Sequence, residues 1–237
     1  MFHFTKVLSI ISFILVTNLV SYNTPFWKPL PFKEGVIYYI IDGNEIGIET
    51  LYIKDYGKTT IRFTSKESKI MFDQLYTEQI TLTTPKWVYK IDLANNSAYK
   101  STNILNLLNK EYSKLSKQDQ KNIISNIKAY NFFLHDNINT QSKKTKHFIL
   151  SHTCYDSLTF DGRLTCYFQN SDIYLKSQID IFGFSSKTEA INIEIKKVDD
   201  SIFQLPKNLS IISDQESEEK NIIRAKQIIS YLKNLTP

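Results

Sequence analysis

The sequence predicts an α+β fold, an antiparallel sheet curled around helices, and three observations carry that expectation. Apolar and polar residues alternate through residues 34–93, the spacing turns helical after Ser101-Thr102-Asn103, and alternation returns over residues 147–198. A period of two marks a half-buried strand, and steps of three and four mark an amphipathic helix. The resulting order of strands, helix, strands, helix suits an antiparallel sheet better than a doubly wound parallel one.

The chain opens on Lys6 and an apolar run at residues 7–20, VLSIISFILVTNLV, followed by polar Ser21, Tyr22, Asn23 and Thr24. A membrane span needs roughly 20 residues, so the run reads as the core of a secretory signal, residues 1–21, cleaved after Ser21. An uncleaved inner-membrane anchor is the alternative. Residues 22–33, with Trp27 among Pro25, Pro29 and Pro31, form an extended lead-in that either straps across the mouth of the domain or serves as a spacer.

The first strands follow in order. VIYYII at 36–41 precedes the hairpin signal Asp42-Gly43, and GIETLYIKDY at 47–56 runs into a turn at Tyr56-Gly57. TTIRFTS at 59–65 puts Ile61 and Phe63 on one face, residues 70–83 stop before Pro85, and Trp87, Tyr89, Ile91 and Leu93 alternate with polar neighbours. Together they make a meander with one apolar face. Ser101, Thr102 and Asn103 are N-cap types, and Ile104, Leu107, Leu108, Tyr112 and Leu115 then recur at helical spacing. Ser116 restarts the pattern towards Ile123, Ile124 and Ile127, which gives one or two helices over about 103–134 against the apolar face of the meander. Residues 136–146 read as an exposed polar loop. Strands resume at 147–154, 164–169, 173–182 and 187–198, and Ile222, Ala225, Ile229 and Leu232 mark a closing helix behind an acidic first turn.

Composition excludes some functions. Lys and Arg number 29 against 24 Asp and Glu, a net +5 without a basic block, which argues against nucleic acid as partner. Export and an even cysteine count, Cys154 and Cys166, point to one disulfide in an oxidising compartment. A two-residue turn at Asp161-Gly162 would leave Cys154 three positions out of register with Cys166, too far for a bridge. Either the loop is wider, or the thiols are free; the wider loop is the favoured reading.

Catalytic patterns are missing from the sequence. Of His135, His147 and His152, the last two lie five apart, on opposite faces of one strand, so no metal site is expected. No phosphate loop, H-E-x-x-H or C-x-x-C is present, and Asp199-Asp200 and Glu218-Glu219 read as solvated pairs. No cofactor is expected, and the chain reads as a binding protein rather than an enzyme, a monomer in solution.

The second strand block resembles a known family. Cys154, Asp161-Gly162, Leu164-Thr165-Cys166-Tyr167, Ile173-Tyr174-Leu175-Lys176, Ile181-Phe182-Gly183, Ala190 and Phe203-Gln204-Leu205-Pro206 look like the C-terminal half of uncharacterised periplasmic proteins of Gram-negative bacteria related to the lipoprotein carriers LolA and LolB. Tyr38, Gly47, Glu49, Tyr52 and Gly57-Lys58 look like the opening hairpin of that group. The resemblance implies an incompletely closed antiparallel β-barrel over residues 34–209, wrapped around helices, with residues 210–237 as an additional C-terminal helix. It implies a lipid or lipoprotein acyl chain as ligand. The carriers use a particular arginine or an exposed hydrophobic loop; here Arg62, between Ile61 and Phe63, either reaches the rim or, as the favoured reading, is a solvated sheet-face residue.

The candidate ligand pocket is an apolar cavity lined by Ile53, Phe63, Trp87, Leu108, Ile179 and Ile193. The alternative is an envelope structural or interaction module with a filled core and a protein partner.

Overall fold

The computed structural model describes residues 24–70, 73–132, 134, 145–159, 162–168, 171 and 173–235. The signal segment, the loop at 136–144, His135, Phe160 and Asp161 lie outside the described residues. The elements are β1 (Gly35–Gly43), β2 (Glu45–Lys54), β3 (Thr59–Ile70), β4 (Asp73–Thr83), β5 (Trp87–Asp92), β6 (Ser97–Thr102), α1 (Ile104–Ser113), α2 (Lys117–Ala129), β7 (Lys146–Ile149), β8 (His152–Leu158), β9 (Leu164–Phe168), β10 (Tyr174–Ile181), β11 (Phe184–Glu194), β12 (Ser210–Ser213) and α3 (Gln215–Asn234).

All twelve strands form one sheet in the order β12-β6-β5-β4-β3-β2-β1-β11-β10-β9-β8-β7. The α+β class holds, but the sheet does not close into a barrel: β12 and β7 are its two edges. Neighbours are antiparallel except β12 beside β6. β1 sits in the middle, hydrogen-bonded to β2 on one side and to β11 on the other.

Register assigns the faces. Ile37, Leu51, Arg62, Thr81 and Lys90 stand opposite one another across β1 to β5, so they share one face. One residue along, Tyr52, Ile61, Leu82 and Tyr89 share the other. This second face packs against Ile202, Phe203, Leu205 and Leu209 of the chain leading to β12. The apolar face of the meander therefore carries that segment, and the N-termini of α1 and α3 lie by the more polar one.

Each helix starts on a capping side chain. Asn103 accepts from Leu105 N at 3.0 Å, Ser116 from Asp119 N at 3.1 Å, and Asp214 from Ser217 N at 3.0 Å. The helices bury Leu108, Ile123, Ile127, Ala225, Ile228, Ile229 and Leu232 in a common cluster. Within it, buried Asn126 donates to the carbonyls of Leu232 and Leu235 at 2.8 and 2.9 Å, closing the end of α3. Within residues 210–235, Ser210–Ser213 extends the sheet and α3 completes the helical core. Glu218, read as solvated, accepts from Thr102 N and Thr102 Oγ1 at 2.6 and 2.7 Å, locking α3 to β6.

Cys154 and Cys166 are bridged, with Cα atoms 5.3 Å apart. Leu158 pairs with Leu164, so the loop is wider than two residues. Cys154 then faces Phe168, and Cys166 faces Asp156, an offset of two that keeps both sulfurs on one side of the hairpin. The bridge is buried with Ile37, Tyr39, Leu51, Ile53, Phe168 and Leu175. A disulfide of this kind belongs to an oxidising environment. No helix of the described residues is long and apolar enough to cross a membrane.

Candidate functional site

A cavity of about 440 Å³ lies between the polar-rich sheet face, the lead-in and the first turns of α1 and α3. Strand alternation supplies Leu51, Thr60, Arg62, Thr81, Thr83, Val88, Lys90 and Ser101. The lead-in adds Trp27, Lys28 and Leu30, and the helix starts add Ile104, Leu105, Ser217, Lys220 and Asn221. The lead-in is held in place at several points. Phe26 packs edge-on against Tyr112 with ring centroids 5.6 Å apart, Leu30 N donates to Tyr56 O at 2.9 Å, and Phe32 meets Phe168 edge-on at 5.9 Å. It thereby joins the helical cluster to the disulfide cluster, and Trp27 stands beneath Lys58, whose Nζ is 4.9 Å from the indole centroid.

A polar network lies on the sheet side of the cavity. Glu49, 6% exposed, pairs with Arg62 through Nη1. Tyr174 OH accepts from the same Nη1 at 2.6 Å and donates to Glu49 Oε1 at 2.7 Å, while Thr64 Oγ1 donates to Glu49 Oε2 at 3.1 Å. The guanidinium also lies against aromatic rings, its Cζ 4.6 Å from the Tyr174 centroid and 5.7 Å from that of Tyr39. Burial works against the Arg62 charge, but the neighbouring Tyr174 and Glu49 outweigh it and hold the guanidinium above its ordinary, already high, pKa. Burial pushes the phenols of Tyr174 and Tyr39 up, against the opposing pull of Arg62. Arg62 is therefore fixed as a cation beside two protonated tyrosines, with its side chain 23% exposed and lining the cavity. This corrects the reading of Arg62 as a solvated residue: on the face it shares with Leu51 and Thr81, its guanidinium is held by Glu49 and Tyr174.

The six residues expected to line a single apolar pocket are dispersed, and none of them lines this cavity. Ile53 is fully buried in the disulfide cluster, and Ile193 packs against it from β11. Ile179, opposite Ser186, is half-buried nearer the far end of the same face. Phe63 lies on the opposite face in contact with Tyr52, ring centroids 5.8 Å apart. Trp87 shares that opposite face and stacks with Lys100, whose Nζ is 3.8 Å from its ring centroid. Leu108 is wholly buried among the helices. The physical reason is parity. Ile53 pairs with Thr60, and Phe63 is three residues further along β3, an odd step that turns it to the other side.

The Glu49–Arg62 pair had a signal in the sequence. A two-residue turn at Tyr56-Gly57 sets Asp55 opposite Lys58, and the same register sets Leu51 opposite Arg62 and Glu49 opposite Thr64, as observed. That places glutamate and arginine as diagonal neighbours on one face. Tyr174, more than a hundred residues away, has no comparable signal. His147, on β7, bonds Asp156 at 2.6 Å, whereas His152 lies on β8 with its ring 4.9 Å from that of Phe168. Among the described residues no group of three or more His, Cys, Asp or Glu could hold a metal ion.

No protein-family model matches the chain, and no curated protein matches it. Among solved structures, the chain is similar to an uncharacterized conserved protein from Thermus thermophilus, at 8% identity and a TM-score of 0.42, over 75% of this chain and 90% of that one. It is also similar to PNGF-II, at 16% identity and a TM-score of 0.41, over 81% of this chain and 33% of that one. The chain spans about a third of the length of PNGF-II. Likenesses this distant carry no argument about the site.

Proposed function

We propose that this chain is an exported, periplasmic binding or carrier protein for a lipid or acyl chain, akin to the lipoprotein carriers. The observation that carries the reading is the cavity. Its volume of about 440 Å³ falls within the range of small-molecule sites, roughly 300–1,000 Å³. Trp27, Leu30, Leu51, Val88, Ile104 and Leu105 give it an apolar wall, which faces polar side chains such as Thr60, Arg62, Thr81, Thr83 and Lys90. The buried disulfide and the apolar run at residues 7–20 support export through an oxidising compartment. A chain removed from water gains about 0.8 kcal/mol per methylene, so a partly enclosed acyl group reaches micromolar affinity, about 8 kcal/mol. Chemistry at Glu49, Arg62 and Tyr174 is not part of the reading, because these groups are committed to one another.

The test is native mass spectrometry with lipid extraction of gently purified protein, together with uptake of a fluorescent fatty acid. A bound lipid mass, or saturable uptake that Val88→Asp abolishes while the fold survives by circular dichroism, is the expected result. An apo mass with no uptake by folded protein refutes it. That outcome favours the second reading, an interaction module with a filled core, for which the burial of Ile53 and Leu108 in packed clusters and the exposure of Ile40, Ile46, Ile48 and Ile191 speak.

A further inference from the structure

The polar side chains of the cavity divide into engaged and unengaged groups. Its cations are engaged: Arg62 pairs with Glu49, Lys90 with Asp214 at 3.2 Å and Lys220 with Glu216, Lys58 stands over the Trp27 ring, and Lys28 also has a partner. Its sheet hydroxyls are not. Thr60, Thr81, Thr83 and Ser101 line the cavity, and among the described residues none of their side-chain oxygens bonds another protein group. Threonines just outside the lining behave differently. Thr64 Oγ1 donates to Glu49 Oε2 at 3.1 Å, Thr84 Oγ1 to the Trp87 carbonyl at 3.0 Å, and Thr102 Oγ1 to Glu218 Oε1 at 2.7 Å. Ser101 is only 4% exposed, yet it stands on the cavity face, opposite Val88, which is opposite Thr83, which in turn pairs with Thr60. A buried hydroxyl without a partner is unfavourable, and a ligand that supplies one recovers the loss.

We infer that the cavity takes an uncharged, hydroxyl-bearing amphiphile: an acyl chain lies against the Trp27, Leu30 and Ile104 wall, and a polyol head, glycerol or a sugar, hydrogen-bonds to Thr60, Thr81, Thr83 and Ser101. The inference rests on the acyl-binding reading and adds the headgroup to it. Each hydroxyl offers one donor and two acceptor positions, so the group matches a head that itself both donates and accepts. Spacing favours a head with several hydroxyls. Thr60 and Thr83 face each other across one strand spacing of about 4.8 Å, Thr81 lies two residues along β4 at about 7 Å, and Ser101 lies two strands beyond Thr83 at about 10 Å. A carboxylate or phosphate head fares worse. It would leave water for a site whose cations already hold their partners, and a buried charge without its own counter-charge is costly.

Calorimetric titration of the full-length folded protein with monolaurin, 6-O-lauroyl glucose and laurate, each kept below its micelle threshold, tests this with the acyl chain held constant. The expected result is a preference of about tenfold or more for a polyol ester over laurate. The tighter of the two esters identifies the head as glycerol or sugar. Thr60→Val/Thr83→Val removes two hydroxyls while keeping side-chain shape and strand preference, and it should bring the preference near parity; Ser101→Ala should lower it in the same direction. Equal binding of all three, tighter binding of laurate, or a preference that survives Thr60→Val/Thr83→Val and Ser101→Ala overturns the headgroup inference while leaving the acyl-chain reading intact. Absence of binding by all three, with the protein folded by circular dichroism, overturns both.

Discussion

Replacing Glu49 with alanine is the sharpest structural perturbation available in this molecule. The carboxylate is 6% exposed and receives three donors, Arg62 Nη1, Tyr174 OH and Thr64 Oγ1. Removing it leaves a mostly buried guanidinium without its counter-charge, a loss of about 3–5 kcal/mol where burial is complete. Because the Arg62 side chain is 23% exposed to the cavity, water takes up part of the deficit, and the lower end, about 3 kcal/mol, applies. For a domain of this size that corresponds to a fall of about 6–12 °C in Tm. Glu49→Leu with Arg62→Met replaces the pair by apolar groups of similar bulk and should cost less than Glu49→Ala alone. Urea denaturation followed by Trp27 and Trp87 fluorescence supplies the cycle. A Glu49→Ala cost below about 1 kcal/mol, or additivity of the two single changes within about 0.5 kcal/mol, would refute the coupling.

Three further outcomes follow from the geometry. Reducing the Cys154–Cys166 bridge, which spans 12 positions, should lower stability by about 3 kcal/mol, and thiol labelling of unreduced, denatured protein should find no reactive cysteine. Gly47→Ala sets a Cβ 2.2 Å from the Ser65 carbonyl oxygen and 2.7 Å from Lys66 Cα, so β2 and β3 must part there; the expected cost is about 2 kcal/mol or more by urea denaturation, and a silent variant would contradict the pairing. The Asp214 carboxyl is held below its ordinary range, first by the Ser217 hydroxyl and amide and then by Lys90. Its contribution is therefore complete above the unfolded value near about 4 and disappears as pH falls through the lower, folded value. Asp214→Asn should flatten that acid limb of the stability profile, and an unchanged profile would dissociate the cap from acid unfolding.

Much of the architecture is written in local patterns. Both α1 and α2 begin on residues the sequence marks, Asn103 and Ser116, and β1 to β5 follow the alternation of apolar side chains. The elements that local pattern does not mark depend on pairing rather than propensity. β6, Ser-Ala-Tyr-Lys-Ser-Thr, carries no branched aliphatic residue and is a strand because β5 lies beside it. The turn between β7 and β8 is made by Leu150 and Ser151, with φ of 49° and 64°, where glycine or asparagine would normally announce it. The strict alternation of Ile191, Ile193 and Ile195 misleads in another way. A bulge interrupts the β1–β11 ladder between Tyr38 and Tyr39, and Ile191 and Ile195 emerge 56% and 63% exposed while Ile193 packs inward. For the site, the side-chain types are readable and the parity between strands is not. Ile53 and Phe63 each look like lining residues until register places them on opposite faces.

The central position of β1 also sets an order of events. Tyr38 reaches Glu194 across 156 residues, and Tyr39 donates to the Tyr174 carbonyl across 135. Phe26 is buried beside Ala225 and Leu232 of the last helix. During synthesis the hairpins from β1 to β6 can zip as they emerge, but one edge of β1 has no partner until β11 has been made, and the lead-in, which meets Tyr56 and Tyr112 early, lacks its share of the α3 cluster until the end. Contacts of such long sequence separation make folding slow. For most of its synthesis the chain therefore carries an open strand edge, the state most prone to mispairing with other chains. The lead-in, made before any of the strands, reaches its final packing only when the last helix has been made.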